Sequence, residues 1–460
     1  MIDELKPYAE YKDSGLPWAS KIPTHWKVRR AKNLFRCIDV RSKTGTEERL
    51  TVSAERGVVP RSSMKVTMFE AKSYIGHKRC WPDDLVINSL WAWGRGLGVA
   101  RHHGLVSSAY GVYRLRPEFD EYAPFIHHLV RSKVYHWELR TRSKGVWISR
   151  LQLTDDAFLR APILVPSVEE GKAITRFIRD IDRKVNAFIR NRRRLIKVLN
   201  EQKQAIINRA VTRGLDPNVP LKPSGVDWLG NIPKHWEKNR LKFLVRNVNE
   251  QTSTRQPDEV YVALEHVEGW TGRITLPSED IEFGSQVKRF HVGDVLFGKL
   301  RPYLAKVTRP SVKGVCVGEF LVLRRKNEAL LPEFLEQELR SKLFIDIINS
   351  ATFGAKMPRA DWDFIGNLLI VYPPTHAEQL EILSDTGKQT ASLQAAIDKA
   401  NREVSLIQEY RTRLIADVVT GKVDVRNVKC EGRSVNEEEF EDIEEVEKAV
   451  DLLEESEDDK

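Results

Sequence analysis

Basic and hydroxyl-bearing side chains gather in this chain where short apolar runs end. Lys299, Arg301 and Tyr303 follow the run DVLFG (294–298). In the corresponding place after DLVI (84–87) stand Trp91, Trp93, Arg95, Arg101 and His102. A third cluster is written twice, as Gly145 and Arg150 beside Lys144, and as Gly354 and Arg359 beside Lys356. Arginine and lysine can bridge guanine O6 and N7, while hydroxyls and lysines serve phosphates. A glycine loop next to a base suits close approach to a phosphate backbone. Each cluster also has a plain structural reading: a turn with Tyr303 packed inward, a glycine-rich hairpin at 93–98, or solvated surface. Lys43, Arg49, Arg56, Arg61, Arg255 and Arg273 are further donors on expected loops, under the same alternative.

No catalytic constellation accompanies these donors. The sequence has no G-x-x-x-x-G-K-[ST] phosphate loop and no H-E-x-x-H zinc motif. YPPT (372–375) lacks the asparagine of an adenine-methyltransferase tetrad, and WGRGLG (93–98) has the wrong spacing for a dinucleotide fingerprint. His102/His103 and His127/His128/His136 form no known ligand pattern, so no metal site is expected. Cys37, Cys80, Cys316 and Cys430 are far apart, which suits reduced thiols rather than a disulfide framework. No apolar run of membrane-spanning length occurs, the N-terminus is too polar for a signal peptide, and a cytoplasmic location is the expectation.

The elements that must position the donors are themselves duplicated. Residues 11–36 recur at 221–246, 210 positions on, with 12 of 26 identities and the shared frame S-G-x-x-W-x-x-x-I-P-x-H-W. Chance supplies roughly one or two such matches, so this is an internal repeat. The repeat continues through Asp84 and Asp294, each heading a short buried strand, then LVRSK (129–133) and ELRSK (338–342), each inside an amphipathic helical stretch. A short apolar strand ending in proline follows, PILVP and LLIVYPP. Trp18, Trp26, Trp228 and Trp236 read as packing residues, and His25 and His235 as rings whose N–H is satisfied inside. Residues 40–80 and 250–290 show little mutual similarity, apart from short alternating strands such as MKVTMF (64–69) and EVYVALEHV (259–267). Two copies of one frame with different contents suit two versions of one ligand type.

Two long helices close the repeats. Ser167 to Glu170 and Thr375 to Glu378 are S/T-x-x-E capping boxes. Downstream, Val185, Ile189, Ile196, Leu199 and Ile206 fall on a four–three alternation whose intervening places 192 and 203 hold cations, matched 208 positions on by Leu393, Ile397, Val404, Ile407 and Leu414. That is a heptad seam, and each helix can run about 40–45 residues, or about 60–68 Å. Arg192, Lys203 and Arg411 interrupt the seams, with stems expected along the seam and charges in solvent. Charge is uneven: the chain is +9, yet residues 437–460 carry 14 acidic and 2 basic side chains, leaving +21 on residues 1–436. A basic body of that size favours a polyanionic partner. The acidic tail reads either as solvated chain or as an amphipathic helix carrying Phe440, Ile443, Val446, Val450 and Leu453.

Over about residues 10–425 the chain resembles the specificity (DNA-recognition) subunit of type I restriction–modification enzymes. The strings that carry this are SGLPWASKIPTHW, SGVDWLGNIPKHW, GDVLFGKLRPYLAK, PSVEEGKAITRFI and PPTHAEQLEIL. The resemblance implies an α+β fold: two α/β target-recognition domains, separated by a pair of long antiparallel helices, related by a pseudo-twofold internal repeat. Its expected segments are 1–166, 167–214, 215–373, 374–428 and an acidic tail, 429–460. It implies a non-catalytic subunit that reads a bipartite, asymmetric site in double-stranded DNA, one half-site per domain. It further implies docking of two modification (methyltransferase) subunits and of restriction (translocase–nuclease) subunits. S-adenosylmethionine, Mg and ATP are expected on those partners and no cofactor on this chain. A stand-alone nuclease and a peptide-binding scaffold remain as the alternative readings.

Overall fold

The computed structural model describes residues 5–64, 71–145, 151–276, 286–352 and 358–430. All of the expected strand at 64–69 except Met64, and the tail beyond Cys430, lie outside these. The elements that matter most are β1 (Phe35–Cys37), β2 (Leu85–Ile87), β3 (Leu97–Val99), β4 (Gly111–Leu115), α1 (Val168–Arg213), β5 (Val245–Val248), β6 (Val295–Gly298), β7 (Val307–Thr308), β8 (Phe320–Arg325) and α2 (His376–Val419). The chain divides into two compact units, each drawing on half of each long helix. The first takes residues up to 191 and from 402 onward; the second takes 192–401.

Each unit contains the same four-stranded antiparallel sheet, in the order β1-β4-β2-β3 and β5-β8-β6-β7. The registers agree residue for residue. Tyr113 stands between Cys37 and Leu85, and Leu323 stands 210 positions on between Asn247 and Val295. The runs at 85–87 and 295–298 are continuously apolar because both faces of the sheet are covered. In the first unit Leu85, Ile87, Tyr113 and Leu115 face one core while Val86 and Val112 face another. In the second, Val295, Phe297, Leu321 and Leu323 face one core while Leu296, Phe320 and Val322 face the other.

The repeat reaches further than residue identity suggests. Lys78–Cys80 pairs with Gly104–Val106, and Val287–Phe290 pairs with Gly314–Cys316. Arg79 opposite Leu105 recurs as Arg289 opposite Val315. The interiors thus keep a common strand pair, contrary to their low similarity. Two local expectations also change. EVYVALEHV is a strand only over Val260–Val262, since His266 Nδ1 accepts the Ala263 N–H and closes a 3-10 turn at Leu264–His266. LVRSK and ELRSK are junctions between helices. Ser132 and Ser341 cap the following helices by accepting the Tyr135 and Phe344 N–H groups, because a serine hydroxyl satisfies an amide donor that the helix itself cannot.

The long helices have 46 and 44 residues. In both capping boxes the N-cap hydroxyl accepts the N3 amide, Ser167 from Glu170 and Thr375 from Glu378. Each N3 glutamate carboxylate binds the duplicated His-Trp pair. Glu170 Oε1 accepts Trp26 Nε1–H at 2.9 Å and the Tyr8 hydroxyl at 2.6 Å, and its other oxygen lies 2.7 Å from His25 Nε2. Glu378 Oε1 accepts Trp236 Nε1–H at 2.8 Å and lies 3.0 Å from His235 Nε2. The same indoles meet the end of the other long helix. A Cβ at Gly421, beyond α2, would touch the Trp26 ring and collide with Pro23; one at Gly214, beyond α1, would touch the Trp236 ring. Both glycines have positive φ, 75° and 72°, the left-handed conformation that ends helices.

Each unit therefore packs the start of one long helix beside the end of the other, which is an antiparallel pairing. In the first unit Val185, Ile189 and Leu414 are buried, with Val404 and Ile407 packed against them. In the second, Ile397 is buried, Leu393, Ile196 and Leu199 are half-buried, and Ile207 is buried more deeply than its neighbour Ile206. The interrupting cations bond across the seam: Arg411 Nε donates to Asp182 Oδ1 at 2.7 Å, and Lys203 Nζ to Gln394 Oε1 at 2.5 Å. Partial burial lowers the Lys203 pKa, so the neighbouring carbonyl oxygen takes the place of lost water.

Replacing Glu170 with alanine leaves a buried indole N–H and phenol without their acceptor. A loss of about 2–4 kcal/mol is expected in urea unfolding, and Glu170→Gln, which keeps one oxygen, should lose less. A second prediction concerns Glu338, which is buried and whose Oε2 has no hydrogen-bond partner among the described residues. Burial alone pushes its carboxyl up to about 8. Because the folded pKa exceeds the unfolded one, the stability it permits is full below about pH 4.5 and is lost as pH rises toward 8. Between pH 5 and 8 the native chain should lose about 3 kcal/mol relative to Glu338→Gln. Parallel pH dependences for the two proteins would refute the assignment.

Candidate nucleic-acid interface

A buried ion pair in each unit sets the frame. Asp294, at the head of β6, accepts the His291 N–H at 2.8 Å and binds Arg324 of β8 through both oxygens, at 2.8 and 2.7 Å. Asp84 does the same with the Trp81 N–H and Arg114, at 2.9, 2.7 and 2.8 Å. One carboxylate thus fixes both the turn before the strand and the neighbouring strand. Lys288 and Lys78 are a second matched pair, donating to the Phe320 and Tyr110 carbonyls at 2.9 and 2.8 Å. Burial lowers the Lys288 pKa, yet the group keeps its carbonyl partner.

Beside this frame the second unit has a cleft of about 650 Å³. Two residues singled out separately from the sequence meet in it. Lys299 enters from the end of β6, and Arg359 from the segment after the helix Lys342–Ser350. They are joined by backbone bonds, Ala360 N–H to Lys299 O at 2.8 Å and Arg301 N–H to Pro358 O at 2.8 Å. Glu319 lies between them, accepting Arg359 Nη2–H at 2.9 Å and standing 4.0 Å from Lys299 Nζ. Three carboxamides, Asn247, Asn249 and Gln251, line the same cleft from the end of β5 onward, and Trp362 adds an indole. Asn247 Oδ1 is buried without a hydrogen-bond partner among the described residues. Cations, amides and an aromatic face on one concave surface can bind phosphate, base edges and base planes respectively. The amides carry no local sequence signal beyond polarity at the exposed end of a strand.

The other candidates sit elsewhere. Arg301 has φ 50°, and Tyr303 is 44% exposed on the 3-10 turn Pro302–Leu304, so the tyrosine does not pack inward. Lys356 and Arg150 lie outside the described residues. In the first unit, Trp93 is on the 3-10 turn Ala92–Gly94, its Nε1–H donating to Leu90 O at 3.1 Å. Arg95 is left-handed, and its charge acts on His136, whereas Arg101 acts on His127 and His128. Glycines 94 and 96 leave room for the Trp91 ring, which a Cβ at either would strike. The exposed Lys144 pairs backbone to backbone with Gln152, at 2.9 Å in both directions.

Those bonds also correct the alignment of the glycine–arginine clusters. Leu153 N–H bonds Ser89 O as Ala360 N–H bonds Lys299 O. The structural counterpart of Arg359 is therefore Gln152, two places beyond Arg150, because the segments reaching the cleft differ in length. Among the described residues no group of histidine, cysteine and carboxylate side chains could hold a metal ion, and no helix is long and apolar enough to cross a membrane.

Glu319 shares two cations, so Glu319→Gln should release positive charge into the cleft. Affinity for a random-sequence duplex should rise at low salt, and the slope of log K against log salt should steepen by up to about 2. An unaltered slope would mean that the cleft does not meet phosphate.

Comparison with known proteins places the chain. No family model matches it. It is 23% identical over 198 residues to the type I restriction enzyme EcoDI specificity subunit of Escherichia coli, covering 42% of this chain and 44% of that protein. The match thus spans less than half of the relative's length. A solved structure of complex assembly and conformational transition in the type I R-M system has TM-score 0.55 at 17% identity, covering 86% of this chain and 98% of the other. The HsdS subunit from Thermoanaerobacter tengcongensis, at 18% identity and covering 86% and 96%, has TM-score 0.40. The resemblance carried by the S-G-x-x-W…I-P-x-H-W frame thus stands in sequence and in fold: this chain is similar to the specificity subunits of type I restriction–modification systems.

Proposed function

We propose that this chain is the sequence-specific DNA-binding subunit of a type I restriction–modification complex. Each unit reads one half of a bipartite, asymmetric site, and the paired helices set the gap between halves. The modification and restriction subunits assemble on it and hold S-adenosylmethionine, Mg and ATP, while this chain binds and positions. One observation carries the reading: a single frame, with its Asp–Arg lock and sheet register, is built twice, while the polar side chains beside it differ. A protein that bound one ligand twice would have no use for that difference. The +21 charge of residues 1–436 supplies the attraction to phosphate that such readout needs.

Methylome sequencing of a host expressing this chain with its modification subunits should return one motif made of two unlike half-sites at a constant gap. A single continuous motif would refute the division of labour. Deleting four residues within 185–210 removes about 6 Å of α1 and should alter the gap or abolish assembly. Retention of the original gap by an active complex would sink the ruler role of the helices.

A further inference from the structure

The matched frame allows the variable side chains to be compared position by position. Gln251 pairs with Lys288, and the bridge between Arg41 and Lys78 is its counterpart 210 positions earlier. Cys37 and Asn247 likewise share one place in the register, and Asp39 and Asn249 lie between these anchors. Across the frame itself the chemistry is kept: Lys78 and Lys288, Arg79 and Arg289, Asp84 and Asp294, Arg114 and Arg324. Around the cleft, whose lining Lys288 keeps its counterpart Lys78, five matched places differ: Cys37 to Asn247, Asp39 to Asn249, Arg41 to Gln251, Ser89 to Lys299, Gln152 to Arg359. Of these, positions 39, 41, 249 and 251 are exposed, and 41 and 251 stand beside the kept lysine.

Positions 41 and 251 are the most telling of these. Arg41 is half exposed and braced by Asp39, with Nε 3.0 Å from Oδ1 and Nη2 donating to Oδ2 at 3.1 Å. Its Nη1 makes one long bond, 3.4 Å, to Gly76 O. These contacts leave each terminal nitrogen one further N–H, two donors on one planar group, which is what bridging guanine O6 and N7 requires. Gln251 is exposed at the same place and presents one acceptor and one donor, matching adenine N6 and N7. We propose that positions 41 and 251 read equivalent places in the two half-sites, Arg41 a guanine and Gln251 an adenine. This inference rests on the DNA-recognition reading above.

The test uses the full chain in its complex, with methylome sequencing as readout. Arg41→Gln should convert or relax one guanine in one half-site, leaving the other half-site unchanged. Gln251→Arg should alter one adenine in the opposite half-site. The native bidentate contact should discriminate roughly 5- to 150-fold against the wrong base. Arg41→Lys keeps the charge but loses the fork, and should loosen the same single position. Unchanged motifs in Arg41→Gln and Gln251→Arg would overturn the assignment. So would native behaviour of Arg41→Lys, or a uniform loss of methylation in Arg41→Gln with unchanged melting, since either marks a phosphate or assembly contact. If the native complex yields no two-part motif, the DNA-recognition reading falls instead.

Discussion

A carboxylate held at the first turn of each long helix is the constraint on which the rest of this protein depends. Glu170 and Glu378 sit where the helix dipole and the orphan amides favour negative charge. Each also accepts an indole N–H from a strand-and-turn segment about 140 residues away in sequence. The indole then lies against the glycine that ends the other long helix. Three distant pieces of chain meet on one side chain in each unit. The antiparallel pairing and the seam partners follow from that meeting, because a helix whose start is pinned beside another's end has little freedom to slide.

Within each unit the Asp–Arg pair plays the corresponding part for the sheet. A carboxylate that is 0% or 2% exposed is tolerable only when bonded on every side. Asp84 and Asp294 meet that demand by tying a turn, a strand head and a neighbouring strand together. With the backbone fixed there, side chains at the open edge can change without disturbing the core. Such a division suits a protein whose two units share a frame and need different surfaces.

Much of this was legible in the residues. The repeat rests on residue identity at a fixed offset, and the N-caps, buried strands and helix lengths rest on short-range patterns, none of which needs tertiary information. Lys299 and Arg359 stand out in the sequence as separate donors, and they meet in one cleft. The carboxamides Asn247, Asn249 and Gln251 and the braced Arg41 carry no such signal, because an amide or a lone arginine near a strand end reads like any polar position. Their significance comes from what stands across the sheet. Arg150 was aligned with Arg359 by spacing, but backbone bonds match Arg359 to Gln152, since a fixed offset cannot register a change of segment length.

The sequence by itself determined that this chain is built twice, with two long capped helices, a basic body and buried strands at Asp84 and Asp294. Those features depend on composition, on residue identity at a fixed offset and on short-range patterns. Only the tertiary structure decided that the His-Trp pair binds the glutamate in the first turn of each long helix, that the seam cations bond across the helices, and which outward residues are equivalent. Each of those involves groups more than a hundred residues apart, or a match of registers, and such meetings depend on the path of the backbone through space.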